Sequence, residues 1–214
     1  MRLNIQLFGG RGASLGTTKG GELSLGYGKD NSTQLDVSSL SGFPVKLKNE
    51  FEDFMKMRNQ KIENAYLIDK NGKVVAGATG DRHSVSIDYR EEQKGMTLTH
   101  NHPSSYGGTF SGADMYHFTN SQLKSIRAVG KEGTYVMSAK KNANYMGLNR
   151  ALAKDLPRIK SQASKNATLK ANKGASRTVV RKAYVDTLHS WYKKNASKYG
   201  FDYSFKANKS YKLK

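Results

Sequence analysis

Two histidines placed two residues apart are the strongest chemical signal in this 214-residue chain. The alternation Met-Thr-Leu-Thr ahead of them predicts a strand over residues 96–101. Side chains two apart on a strand leave the same face, so His100 and His102 can point to one place. Two neighbouring imidazoles can hold one metal ion, and zinc is commonly bound in this way.

A carboxylate that follows the histidines can complete a metal site. Pro103 and the pair Gly107-Gly108 should end the strand and turn the chain sharply. Ser111 then begins a predicted helix in which Asp114 is the third residue. Two His nitrogens and one carboxylate oxygen leave a fourth position for water, which is the arrangement of catalytic zinc.

Two simpler interpretations compete with the metal site. Ser111-x-x-Asp114 also fits an ordinary capping box, in which both side chains bond free backbone amides at a helix start. A lone His-x-His is common on solvated strands. The combined pattern favours a metal site more than either part does alone.

The joint pattern resembles the signature of the JAMM (JAB/MPN-type) metallopeptidases. It consists of His-x-His-Pro and Ser-x-x-Asp, with eight residues between His102 and Ser111. The stretch His100-Asn101-His102-Pro103-Ser104 is similar to the RadC branch of that superfamily, although the gap to Ser111 is one residue longer than in RadC proteins. The resemblance covers residues 51–138. It implies bound Zn²⁺ with His100, His102 and Asp114 as ligands, and an α+β fold in which helices pack on a mixed sheet, as in JAMM and cytidine-deaminase-like proteins.

The same resemblance implies a catalytic glutamate upstream. Residues 62–75 look like the RadC stretch in which a glutamate opens an apolar strand, and Glu63 is the matching position. It implies that Glu63 takes a proton from water and that Ser111 donates a hydrogen bond to the carbonyl oxygen of a peptide or isopeptide substrate. If Glu63 is not the catalytic base, the other candidates are the remaining carboxylates of this region: Glu50, Glu52, Asp53, Glu91 and Glu92. His83 and His189 match no ligand spacing. His117, three residues after Asp114 on the same predicted helix, could reach the site, but we expect it to be a partly buried helix residue.

The charge of the chain is strongly asymmetric. The formal net charge is +19, and residues 140–214 carry 19 Lys or Arg against three Asp. Such a tail predicts a polyanionic partner, most often nucleic acid bound without sequence preference. A solvated helical face is the alternative. The residues predicted to face solvent or phosphate are Arg177, Arg181, Lys182, Lys193 and Lys194.

Composition limits the cellular setting. The chain has no cysteine, which excludes disulfides and thiolate ligands and fits an intracellular protein. It has no apolar run of about eighteen residues, and its start is too polar for a signal peptide. We therefore expect no membrane span and a cytoplasmic protein, either in a host cytoplasm or in a virion if a phage encodes it.

The distribution of glycine, apolar residues and charge divides the chain into three segments. Residues 1–44 read as a flexible glycine-rich arm. A phosphate loop is excluded there because Gly16-Thr17-Thr18-Lys19 lacks the required ending. Residues 4–12 resemble the first residues of phage head proteins from Gram-positive hosts. Residues 45–140 read as the zinc hydrolase domain, and residues 141–214 as a basic helical extension.

Periodicity predicts the elements of the last two segments. In residues 45–140 they are a helix at 45–59, a hairpin at 65–68 and 74–78, a strand at 83–87, the strand with the histidines, a helix at 113–123 and a hairpin at 125–129 and 134–138. In the extension they are helices at 147–159 and 176–194 separated by a polar linker. The aromatic residues at 199–205 either stack bases or clamp onto the protein's own surface.

Two functions from different classes therefore follow. The first is a zinc hydrolase of JAMM type with a basic anchor. The second is a DNA-binding structural protein, such as a minor phage head or ejected protein, built on a metallopeptidase-like scaffold. The two are compatible.

Overall fold

The computed structural model describes residues 32–40, 48–89, 92–104 and 106–212, together with the strand backbones at 4–8, 15–17 and 23–25. The described strands are β1 (Asn4–Phe8), β2 (Leu15–Thr17), β3 (Leu23–Leu25), β4 (Thr33–Gln34), β5 (Asn64–Ile68), β6 (Val74–Thr79), β7 (Ser84–Asp88), β8 (Thr97–Asn101), β9 (Ser125–Val129), β10 (Gly133–Ala139) and β11 (Phe201–Ala207). The described α-helices are α1 (Lys48–Phe54), α2 (Gly112–Asn120), α3 (Tyr145–Asn172) and α4 (Arg177–Asn195).

A seven-stranded mixed sheet is the centre of the fold, with the order β11-β10-β9-β8-β5-β6-β4. β8 and β9 pair in parallel, and the other neighbours pair antiparallel. β1 pairs with β7, and β2 pairs with β3, outside this sheet. The predicted α+β class with helices on a mixed sheet is confirmed.

Strand β8 lies in the middle of the sheet and is buried along its whole length. Leu98 belongs to the larger core, which includes residues of α2, α3 and α4. On the opposite face Thr99 donates a hydrogen bond to Glu52 of α1. Because side chains alternate along a strand, His100 shares the face of Leu98.

The parallel pairing of β8 and β9 determines where the loop after the histidines lies. Parallel neighbours need a crossover, and here residues 102–124 with α2 provide it. The crossover leaves from the carboxyl end of β8. In α/β sheets, ligands bind beyond the carboxyl ends of parallel strands.

The predicted elements of residues 45–140 agree with the structure except at the first helix. The β5–β6 and β9–β10 hairpins, β8 and α2 begin and end within three residues of the prediction. The predicted helix at 45–59 is shorter, since α1 ends at Phe54 and a 3₁₀ turn follows at Met57–Asn59.

The predicted polar linker between the last two helices is wrong. α3 continues through it to Asn172, and Gly174 ends this region with φ +72°. Lys, Ala, Gln and Leu are good helix formers, and contacts with α4 stabilise the segment: Ala163 is fully buried and Asn166 donates to Thr187.

Residues after 140 complete the central sheet. β11 pairs with β10 over seven residues, and Tyr192 and Phe201 are buried in the main core. Phe205 stacks on Tyr135 of β10 with ring centroids 4.4 Å apart. The aromatic segment therefore clamps the protein's own surface.

The predicted glycine-rich arm contributes strands. β1 pairs with β7, and β4 extends the sheet beside β6. The prediction of a flexible arm is wrong for these strands and for residues 32–40, and the other residues of the arm lie outside the described residues. No α-helix in the described part of the chain combines the length and apolar character that crossing a membrane requires.

Candidate metal centre

The three ligands predicted from the sequence converge in the structure. His100 Nε2 lies 3.0 Å from His102 Nε2 and 3.3 Å from Asp114 Oδ1. His102 Nε2 lies 3.8 Å from Asp114 Oδ2. All three side chains are buried, and they are the one group of three potential metal ligands found in the described part of the chain.

The dimensions and protonation of this group fit a zinc ion. Zinc bonds imidazole nitrogen at about 2.0–2.1 Å, so two ligand atoms of a tetrahedral site lie roughly 3.3 Å apart. The observed separations of 3.0 and 3.3 Å are close to this value. Asp114 Oδ1 is buried and has no hydrogen-bond partner among the described residues, which leaves it for a cation.

His102 is held as a neutral ligand. Its Nδ1 lies 3.1 Å from the carbonyl oxygen of Gly108, which accepts a hydrogen bond from Nδ1–H and so leaves the Nε2 lone pair facing the site. Burial and the nearby charge of His100 lower the pKa of His102 to about 4. The imidazole is therefore neutral at neutral pH.

Asp114 unites the two competing interpretations of Ser-x-x-Asp. Its Oδ2 accepts the Ser111 amide at 2.6 Å, and its own amide donates to Ser111 Oγ at 3.1 Å, which is a complete capping box at the start of α2. Its Oδ1 faces His100. Burial acts to raise the pKa of Asp114, but the charges of His100 and His102 and the Ser111 amide together lower it.

Glu63 lies immediately before β5, next to the metal site. The β5–β8 register pairs Ala65 with His100, and its continuation by two residues places Glu63 across from His102. Neither carboxylate oxygen of this buried side chain has a hydrogen-bond partner among the described residues. Burial raises its pKa well above the ordinary range, the charges of Asp114 and Asp81 add to the effect, and Arg181 opposes it.

The residue between the two histidines positions Glu63. Asn101 Oδ1 accepts the amide of Asn64 at 2.7 Å, and Asn101 Nδ2 donates to the carbonyl oxygen of Ile62 at 2.9 Å. These bonds hold the backbone on both sides of Glu63. The one signal of this role in the sequence is a polar residue between two histidines on a predicted strand.

The loop after the histidines is fastened by a second carboxylate. Glu132, in the turn between β9 and β10, accepts the amides of Gly107 and Gly108 at 2.8 and 2.7 Å. Gly108 has φ +104°, and a Cβ there would come within 2.9 Å of Val185 on α4. The glycine pair is therefore required by close packing on both sides of the loop.

Arg181, which was predicted to face solvent or phosphate, is half-buried against the loop after the histidines. From α4 its Nε donates to Ser104 Oγ at 2.9 Å and to the carbonyl oxygen of Tyr106 at 2.6 Å, and its Nη2 donates to that of Gly107 at 2.9 Å. The solvent-facing part of the prediction is wrong because Arg181 lies one turn before the buried Val185, on the side of α4 that contacts the protein. Lys182 is also engaged, since it pairs with Asp186 and lies over the ring of Tyr106.

A cleft of about 320 Å³ gives access to the site. Its walls include Glu63, Arg82, His83, His102, Ser104 and Arg181. The cleft therefore joins a metal ligand and the candidate base to three basic side chains. Ser111, which is half-buried, is not part of these walls.

The other candidate residues lie elsewhere. Glu52 is buried in an ion pair with Arg127, Asp53 lies 3.9 Å from Arg58, and Glu50 and Glu92 are exposed; Glu91 lies outside the described residues. His117 is fully buried rather than partly buried, and its Nε2 lies 2.6 Å from Gln93 Oε1. Arg177, Lys193 and Lys194 are exposed as predicted.

Comparison of the chain with family models, with curated proteins and with solved structures found no match.

Proposed function

We propose that this protein is a zinc-dependent hydrolase of JAMM type that cleaves a peptide or isopeptide bond. The convergence of His100, His102 and Asp114 beside an unpaired buried carboxylate, Glu63, carries the proposal. The RadC-like sequence around the histidines supports it independently of the geometry.

Each residue has a definite task in such a reaction. His100, His102 and Asp114 would hold the metal, and a bound Zn²⁺ would supply a Lewis acid and bring the pKa of water toward neutrality. Glu63 accepts a proton from the attacking water and returns it to the leaving nitrogen. The raised pKa of Glu63 suits this exchange, because an acid-base group works best when its pKa approaches the working pH.

Ser111 is proposed as the donor to the substrate carbonyl oxygen. Its hydroxyl oxygen already accepts the Asp114 amide, which fixes the side chain beside a metal ligand. One well-placed donor to a developing oxyanion contributes about 3 kcal/mol to the transition state.

Metal content of the purified protein tests the site. We expect about one zinc per chain by elemental analysis, and loss of that zinc in the double variant His100→Ala, His102→Ala, because removing two of three protein ligands leaves no site. The matched control is His83→Ala and His189→Ala, which changes two other histidines. Equal zinc in the wild type and the site variant would overturn the proposal.

Glu63→Gln tests the chemistry separately from the metal. The variant should retain zinc but lose hydrolysis of any peptide that the wild type cleaves, because an amide cannot accept the proton. Peptide-library cleavage followed by mass spectrometry provides the substrate. Wild-type cleavage by Glu63→Gln would place the base elsewhere.

A second candidate function, binding of nucleic acid, is favoured by a row of basic side chains on α3. Arg150, Lys154, Arg158 and Lys165 are exposed and lie within one face of the helix, opposite its buried side. Such a row can contact successive phosphates without reading sequence.

A further inference from the structure

Two separate elements give basic side chains to the cleft at the candidate metal site. Arg82 and His83 come from the turn before β7, and Arg181 comes from α4. Glu63 is the one acidic residue in its walls. Because these basic groups come from separate parts of the chain, their convergence is a property of the fold.

Arg181 retains hydrogen-bonding capacity toward the cleft. Its Nε and Nη2 donate hydrogen bonds to neutral acceptors, namely a hydroxyl oxygen and two carbonyl oxygens. Among the described residues, no carboxylate lies within ion-pair distance of its guanidinium, and none accepts a hydrogen bond from Nη1. Both carboxylate oxygens of Glu132, which lies beside the loop, already accept hydrogen bonds from the amides of Gly107 and Gly108.

A half-buried guanidinium without a carboxylate partner favours an anionic ligand. Removing a charge from water is costly unless an opposite charge replaces the lost hydration. Arginine binds carboxylates with two parallel hydrogen bonds, which also fixes the orientation of the ligand. Arg82, which is exposed at the same cleft, adds attraction for the same kind of group.

We propose that Arg181 and Arg82 form a carboxylate subsite, so that the substrate carries an acidic residue or a free C-terminal carboxylate beside the scissile amide. This inference rests on the proposed hydrolase and specifies its substrate class. In it Arg181 has two roles, to hold the loop of Tyr106 and Gly107 and to orient the substrate, whereas Arg82 only attracts and orients.

Binding of uncleaved peptides tests the subsite. The probe is a fluorescent peptide library in an Ala, Gly and Ser background with one Asp at each position in turn, and a second library with Asn in its place. Each library is made with a free and with an amidated C-terminus, which separates side-chain from terminal carboxylates. Anisotropy is measured at about 0.15 M salt, where charges beyond roughly 8 Å are largely screened.

The protein for this assay is the zinc-loaded Glu63→Gln full chain. We expect at least one carboxylate-bearing peptide to bind about tenfold more tightly than its Asn or amidated counterpart, the effect of one charge-assisted hydrogen bond. Arg82→Gln and Arg181→Gln should each reduce that preference. Arg177→Gln, an exposed arginine one turn away on α4, is the matched control and should retain it.

Arg82→Gln keeps the test decisive if Arg181→Gln disturbs the loop. Equal binding of the acidic and neutral peptides, or an equal loss of preference in Arg177→Gln, would overturn the subsite. Elemental analysis judges the hydrolase independently. If the wild type binds no zinc but the full chain still prefers the acidic peptide, the subsite stands and the hydrolase fails.

Discussion

The two oxygens of the Asp114 carboxylate have different surroundings. Oδ2 completes the capping box of α2, while Oδ1 is left for the metal group. A cap holds its side chain in one conformation, so the helix start also orients the ligand. An arrangement that looks like an ordinary cap in the sequence thus also positions a carboxylate in a group that could hold a metal ion.

His117 offers a residue-scale prediction about pH and stability. Burial lowers its pKa to about 3, with the charge of His100 adding to this and that of Asp114 opposing it. The unfolded chain, with a histidine pKa near 6.5, therefore binds a proton that the folded chain does not between about pH 6.5 and 3. As the pH falls through that range, this group should lower the free energy of unfolding by up to about 1.4 kcal/mol per pH unit.

His117→Gln should reduce that dependence, because glutamine can contact Gln93 and does not titrate. The measurement is urea unfolding at pH 7, 6 and 5 with a chelator present, so that metal release does not contribute. His83→Gln, at an exposed position, serves as the control. Parallel wild-type and His117→Gln stability curves would contradict the prediction.

At the scale of elements, the loop from β8 to α2 is held between the β9–β10 turn and α4. Glu132 bonds it from one side, and Arg181 and Val185 contact it from the other. The Gly108 carbonyl that orients His102 belongs to this loop. The position of a metal ligand therefore depends on residues more than twenty positions away.

Glu132→Gln should loosen the loop without removing a ligand. Its amide group has one acceptor oxygen, so it cannot accept both glycine amides in the way that the carboxylate does. Loss of a partner behind a metal ligand weakens metal affinity about 10–100-fold, and we expect that range for zinc, measured by competition with a chromophoric chelator.

Lys131→Gln is the matched control, since Lys131 is the exposed neighbour of Glu132. Circular dichroism should show wild-type helix content in both variants. Unchanged zinc affinity in Glu132→Gln would show that the loop holds His102 without this carboxylate.

Local patterns were sufficient to predict the strands of the hairpins, β8 and α2. Alternation around Asn71-Gly72 and the capping residues at Ser111 lie within a few positions of the elements that they specify. The Ser104 and Tyr106 partners of Arg181 lie 77 and 75 residues away, and no local pattern reports such contacts. For the same reason the helical course of residues 160–172 was missed, because its packing against α4 is tertiary.

The whole molecule does not divide into a catalytic body and a separate tail. β11 forms an edge of the central sheet, and α4 supplies Arg181 to the cleft. Truncation at residue 140 would remove both, together with buried members of the main core such as Tyr192 and Phe201. The nucleic-acid hypothesis must therefore be tested in the full chain by changes of charge.

The exposed row on α3 is the surface that fits a polyanion best. Arg150, Lys154, Arg158 and Lys165 span about 22 Å along the helix at roughly 1.5 Å per residue. Arg158 lies 3.9 Å from Asp155 of the same helix but stays exposed. By contrast, Arg177, Lys193 and Lys194 on α4 point in different directions around their helix, and Arg181 and Lys182 are half-buried. Contacts with DNA phosphates should therefore come mainly from α3.

Replacing the four α3 residues with glutamine should weaken binding to duplex DNA and reduce its salt dependence. Each lost phosphate contact lowers the slope of log affinity against log salt by about 0.9, so four contacts would lower it by roughly 3.6. Gel-shift titrations at several salt concentrations measure the slope. The control replaces Lys61, Lys70, Lys73 and Lys94, four exposed lysines outside the C-terminal segment, and changes the net charge equally. If the control lowers the slope as much as the α3 variant does, binding depends on net charge alone and the α3 row is not a binding surface. If the affinity of the wild type does not depend on salt, phosphate contacts do not hold the DNA.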